Sequence, residues 1–285
     1  MYAGYALVAM AALLWGLIGP LTKLAVLAGM SPVEAAFWRA MMGWVLYATH
    51  AVVIGRVGVR GKDLGWLVGF GVVCVFGLFG SYVVAVDQGG AALAAVLLYT
   101  APAWVAVLAW KFLREPMTGV KIAAVAVTLL GVAAVSLGSG LGGRIQSLGI
   151  FMGLLSGVTY ALYYIFGKAF LSRYATPTIF LYALPVGAAC MVPFIHFGPR
   201  PPAAWMYCAV TAVCTTYGAY TLYYAGLKRI EASRAAVIAT LEPVVAAILA
   251  FSMFSERFTA LGYMGAAFIL LAVLMTILGG RRKKT

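Results

Sequence analysis

The chain of 285 residues is 65% hydrophobic and 9% charged, against about 25% charged in a soluble domain, which excludes a soluble globular protein. Its 20 Lys and Arg against 7 Asp and Glu give a formal charge of +13. These basic residues stand in small groups between apolar spans and not in one solvated stripe, which excludes a nucleic-acid partner and points to orientation in a lipid bilayer.

In chain order, helical spans are expected at 4–27, 32–54, 64–86, 91–113 and 118–137, then at 148–171, 177–197, 203–227, 233–254 and 259–278. Most reach about 20 residues, the length that crosses the hydrocarbon core. The first is no cleavable signal: no Lys or Arg precedes it, it runs on past the length of such segments, and it contains Gly16, Gly19 and Pro20. Taking the N-terminus as cytoplasmic, most Lys and Arg fall on that side. Only Lys23, Arg39, Arg144, Arg200 and Arg257 do not. This positive-inside bias predicts that both termini are cytoplasmic.

The second half repeats the first. A shift of 145 sets Gly4 on Gly149, Trp15 on Tyr160, Lys23 on Lys168 and Pro32 on Pro177. A shift of 141 sets Gly77 on Gly218, Tyr82 on Tyr223, Pro102 on Pro243 and Glu115 on Glu256. Five spans per half is an odd number, so the second copy enters the membrane inverted. Inverted repeats are the pattern of transporters that work by alternating access. The expected fold class is an all-α membrane protein of ten transmembrane helices, as two inverted five-helix repeats. The expected units are 1–137, a Gly-rich connector 138–147 (Gly138-Ser-Gly-Leu-Gly-Gly143), and 148–285 with a basic C-terminal tail.

Glycines four apart (Gly149, Gly153, Gly157) give one face of the sixth span to a close neighbour, and Gly65 and Gly69 are read the same way. Cys74, Cys190, Cys208 and Cys214 all lie within spans, without ligand spacing, and read as small buried residues with no disulfide or metal role.

Pro102 and Pro243 hold matched places in the fourth and ninth spans. Each removes a backbone hydrogen bond and crowds the carbonyl four residues back. Pro-interrupted helices at corresponding places in two inverted halves point to a central site. Glu242 precedes Pro243 in the middle of a span. A carboxylate there costs about 2.5–3.5 kcal/mol to insert, so it belongs in a cavity or bundle interior. It reads as a proton-coupling site, as a partner for a substrate ammonium, or as a protonated acid bonded across helices. Trp15, Tyr82, Tyr99, Trp104, Tyr160, Tyr163, Tyr217, Tyr220 and Tyr224 supply aromatic surface within the spans, suited to stacking on flat side chains. Tyr217, Tyr220 and Tyr224 share one face at helical spacing. From this inventory the cavity is assigned Trp15, Tyr82, Tyr99, Pro102, Trp104, Tyr163, Tyr217, Tyr224 and Glu242, with Gly16, Pro102 and Pro243 as hinge positions. Trp66, Trp110 and Trp205 read as interface anchors, and Lys23 and Lys168 as snorkelling side chains. Glu34 and Arg39 are five apart, on different faces, and cannot simply pair.

The two halves end alike: Ala101-Pro102, Glu115-Pro116-Met117-Thr118 and Leu130-Gly131-Val132 against Glu242-Pro243, Glu256-Arg257-Phe258-Thr259 and Leu271-Ala272-Val273. With Trp15-Gly16 and Phe37-Trp38-Arg39, this resembles the duplicated EamA domain of the drug/metabolite transporter superfamily. Within it, the chain looks most like bacterial aromatic amino acid exporters. The resemblance implies a ten-helix exporter of small metabolites in the bacterial inner membrane, with a central cavity built from both halves. Arg257 in place of Pro116 and Ala272 in place of Gly131 make the second copy looser. No enzyme or cofactor is expected: the sequence has two His and no hydrolase ligand spacing, nor a phosphate loop ending in Lys-Ser or Lys-Thr. Transport of amino acids, aromatic ones among them, is the expectation. Export of other metabolites or amphipathic drugs is the alternative, and a non-transporting membrane interaction protein the second.

Overall fold

The computed structural model describes residues 2–138, 146–254 and 259–279. Residues 139–145 of the connector, Glu256 with its neighbours and the basic tail lie outside them. Among the described residues all regular structure is helical.

The first half comprises α1 (Tyr2–Trp15), α2 (Ile18–Leu27), α3 (Pro32–Val53), α4 (Gly61–Phe70), α5 (Leu78–Leu98), α6 (Ala101–Leu113) and α7 (Gly119–Gly138). The second comprises α8 (Ser147–Phe170), α9 (Thr176–Met191), α10 (Pro202–Thr211), α11 (Ala219–Leu227), α12 (Ala232–Ala239), α13 (Leu241–Phe254) and α14 (Ala260–Gly279). Gly71–Gly77 joins α4 to α5 and Ala212–Gly218 joins α10 to α11, each as a π-helical stretch. Local chemistry sets several ends. Ser31 caps α3, its side chain accepting from the Glu34 N–H with Pro32 in the first turn. Arg114, at φ 56°, closes α6 in the left-handed conformation.

Among the described residues, eight helical runs are long and apolar enough to cross a membrane: Tyr2–Leu27, Gly61–Ala91, Leu93–Leu113, Gly119–Leu137, Ser147–Phe170, Thr176–Phe194, Ala232–Met253 and Ala260–Gly279. Two further runs occupy the other expected spans but are less apolar. Arg39 and His50 lower the hydropathy of α3, and the threonines and tyrosines of Pro202–Leu227 do the same there.

Interruptions fall at related places. α5 ends at Leu98 and α12 at Ala239, directly ahead of Pro102 and Pro243. Proline offers no N–H to these two carbonyls, four residues back, and its ring crowds them. Gly90, at φ 82° and ψ 159°, breaks α5 where the third and fourth spans meet. α1 and α2 part at Gly16-Leu17.

The most extensive helix contacts are α7 with α14, α5 with α8, α3 with α9 and α1 with α11. Small residues make the first two possible. A Cβ on Gly131 would lie 2.8 Å from the Gly265 carbonyl oxygen, and one on Gly157 would lie 2.6 Å from that of Leu97. Gly65 and Gly69 depart from expectation: nothing lies within 4 Å of a Cβ at either, so they face outward and pack no helix. Tyr47, Phe70, Tyr163, Phe180, Tyr223 and Tyr224 form a buried aromatic core across α3, α4, α8, α9 and α11. Leu13, Val45, Leu130, Phe151 and Leu274 are exposed on the outside, as suits a lipid-facing surface.

Candidate functional site

A cavity of about 950 Å³ lies between the two halves, within the range that small-molecule sites occupy. Its walls come from α1 and α2, α3, α5, α7, α8, α9, α10, α11, the π-helical stretches and α13. The lining gathers at one end of the molecule: Lys23, Pro32, Asp87, Ala91, Ser136 and Met191 stand around the mouth. The opposite end is closed by the aromatic core, where Tyr47, Tyr223, Tyr224 and Phe180 have no exposed surface.

Trp15, Tyr163 and Tyr220 line the cavity beside this core. The Trp15 ring meets Tyr220 edge-on at 5.5 Å, and its Nε1 donates to the Thr215 carbonyl at 3.1 Å. Tyr163 and Phe180 lie 5.3 and 5.1 Å from Tyr220, the latter stacked at 13°. Such offset contacts fix ring orientation and add to apolar burial. Tyr82, Tyr99 and Tyr160 stand on the wall above, with Glu242 at the first turn of α13. The Tyr160 hydroxyl donates to Glu242 Oε2 at 3.4 Å. Glu242 therefore sits where α12 breaks from α13, held by a phenol and open to the cavity. Arg39, Lys23 and Asp87 face the same space.

Of the residues assigned from sequence, Trp15, Tyr82, Tyr99, Tyr163, Glu242 and Pro243 line the cavity. Pro102, Trp104, Tyr217 and Tyr224 do not. Pro102 is buried below Tyr99. Trp104 is 39% exposed on the outer surface, where its Nε1 donates to Thr100 Oγ1 at 3.2 Å. Tyr217 hydrogen-bonds His50 Nδ1 at 3.0 Å, and Tyr224 packs on Gly167 and Phe180. Tyr217, Tyr220 and Tyr224 do turn toward one cluster, Tyr217 against Tyr47 at 5.0 Å and Tyr220 and Tyr224 each against Phe180 at 5.1 Å, but of the three only Tyr220 lines the cavity. Gly16, expected as a hinge, stands at the break between α1 and α2 and in close approach to α13: a Cβ there would meet Val245 Cγ1 at 2.6 Å.

Sequence reasoning did not select Tyr160, Tyr220, Arg39, Lys23 or Asp87 for the cavity. The repeat held the signal for Tyr160, since it matches Trp15. Lys168 does not snorkel as expected: its Nζ donates inward to the carbonyls of Leu227 and of Ile230 (2.7 Å for the latter). Glu34 is 1% exposed and bound at both oxygens by Arg200, with Nη2 to Oε2 at 2.8 Å. All four cysteines are free thiols. Among the described residues, no three His, Cys, Asp or Glu come together as ligands for an ion.

A helical bundle with an apolar exterior and a charged, aromatic-lined cavity between two halves defines a membrane transporter. Comparison with known proteins supplies the family. The model of the EamA-like transporter family matches residues 2–137 and again 147–278, and the chain belongs to that family. It is 27% identical to an uncharacterized transporter of Archaeoglobus fulgidus over 92% of this chain and 94% of that one. It is 26% identical to a probable amino-acid metabolite efflux pump of Escherichia coli over 78% of this chain and 79% of that one. A solved crystal structure superposes over the whole of both chains with a TM-score of 0.83 at 17% identity, a likeness of fold alone.

Proposed function

We propose that this protein is a secondary exporter of amino acids, aromatic ones included. It would act in the inner membrane through ten spans arranged as two inverted repeats, with both termini cytoplasmic. The observation that carries this reading is the pairing of charge and ring on one cavity wall. Glu242 offers a carboxylate to a substrate ammonium. Arg39 and Lys23 offer cations to its carboxylate. Trp15, Tyr82, Tyr99 and Tyr163 offer flat surface to its side chain. The likeness to a probable amino-acid metabolite efflux pump points the same way. Alternating access follows from rocking of the halves about the breaks ahead of Pro102 and Pro243. With no phosphate loop, the substrate gradient or an ion gradient supplies the energy.

The test is flux in proteoliposomes loaded with labelled phenylalanine, tryptophan, threonine or a lipophilic cation, each with and without a pH gradient. Saturable amino acid flux, lost in Glu242→Gln and reduced in Trp15→Ala, is expected. Stimulation by the pH gradient that disappears in Glu242→Gln would assign Glu242 the proton as well. Movement of the cation alone would overturn the amino acid reading in favour of drug export.

A further inference from the structure

The turn between α11 and α12, at residues 228–231, is held from several elements at once. Lys168, on α8, donates to the carbonyls of Leu227 and Ile230, placing a cation at the negative end of α11. Glu115, from the first half, binds the start of α12. Its Oε1 accepts from the Ala232 N–H at 2.5 Å, and its Oε2 accepts from the Ser233 N–H at 3.2 Å and the Ser233 hydroxyl at 2.6 Å. Lys121 bridges Glu115 at 3.6 Å and Glu231 at 3.1 Å. Arg234 pairs with Glu231 and donates to the Tyr5 hydroxyl at 3.1 Å. Tyr5, Leu227, Ile230 and Ser233 are all buried. This end of the molecule is shut, and the cavity opens at the other.

The repeat places a counterpart of this arrangement at the open end. Lys23 matches Lys168, Val86 matches Leu227, Gly89 matches Ile230 and Ala91 matches Ala232. The turn after α11 has its counterpart in the break at Gly90. Lys23, Val86 and Ala91 all stand on the wall of the mouth.

We propose that Lys168 and Lys23 are alternating clamps. With the mouth open, Lys168 holds the turn after Leu227 and seals the far end. When the mouth closes, Lys23 takes the carbonyls of Val86 and Gly89, and Lys168 releases its own pair. Each lysine thus stabilises one access state by pinning the C-terminal end of a helix in its own half. This inference rests on the inverted-repeat transporter reading above.

The experiment places a single cysteine at Ala246, on the cavity wall, in a full-length chain whose four native cysteines are replaced. A membrane-impermeant maleimide is applied from each side of the membrane, and flux is followed in parallel. Charge-assisted hydrogen bonds are worth enough to move a two-state balance by about tenfold. Lys168→Met is therefore expected to slow labelling from the Lys23 end and speed it from the other by about that factor. Lys23→Met is expected to slow labelling from the Lys168 end by about the same factor, and Lys168→Arg to keep the parent's rates. If both Met variants shift labelling in the same direction, or folded variants shift it not at all while flux persists, the clamp is overturned. A parent chain with no flux and one-sided labelling in every variant would overturn the transport reading itself. Lys23→Met tests the clamp even where Lys168→Met fails to insert, because Lys23 stands on the open wall.

Discussion

At the residue scale, the strongest polar interactions lie away from the cavity. Lys121 and Glu115 are both 8% exposed, and Glu115 already satisfies two backbone N–H groups and a hydroxyl. Removing the cation leaves the buried Glu115 without the charge paired to it, so Lys121→Met should cost about 3–5 kcal/mol, read by chemical unfolding in detergent. Glu231 adds a pH dependence. Burial pushes its carboxyl up, but the Arg234 hydrogen bond and the Lys121 charge outweigh that and hold it below its ordinary value of 4.5. The fold favours the ionised form, so its contribution is fully present above that value and is lost as pH falls through the lower folded one. Thermal scans from neutral to strongly acidic pH should show this loss in the parent and a flatter acid limb in Glu231→Gln. Sequence made Glu242 visible because a carboxylate in an apolar span has few places to go. It did not distinguish Lys23 from Lys168, whose partners are backbone carbonyls that leave no mark in the side-chain pattern.

At the element scale, the helix breaks were legible and the wide turns were not. Proline announces its own disruption, so the interruptions ahead of Pro102 and Pro243 follow from residue type. The π-helical stretches at Gly71–Gly77 and Ala212–Gly218 occupy matched positions under the 141-residue shift, yet their residues would suit an α-helix equally well. Glycine spacing likewise marked candidates without saying which meet a neighbour. A methyl group separates the two cases. Gly157→Ala brings a Cβ to 2.6 Å from both the Leu97 oxygen and Thr100 Oγ1, so α5 and α8 must part and melting temperature should fall. Gly65→Ala meets nothing within 4 Å and should gain the helix propensity that glycine lacks, about 1 kcal/mol at most. Melting curves of the two variants side by side check both.

At the scale of the whole molecule, duplication was the most legible property, because matched prolines, glycines and lysines survive where overall likeness between the halves is slight. The proposed inversion predicts that reporters fused to either terminus fall on the same side of the membrane, active as cytoplasmic fusions and silent as exported ones. A reporter placed after Arg200 should give the opposite result. The cavity wall carries one further consequence, which is electrical. Its formal charges are Lys23 and Arg39 against Asp87 and Glu242, so the passage itself is balanced. A zwitterion entering it adds no net charge, and its crossing with no accompanying ion moves none through the membrane field. Voltage then does no work on the traffic, in either direction, and concentration alone sets where it stops.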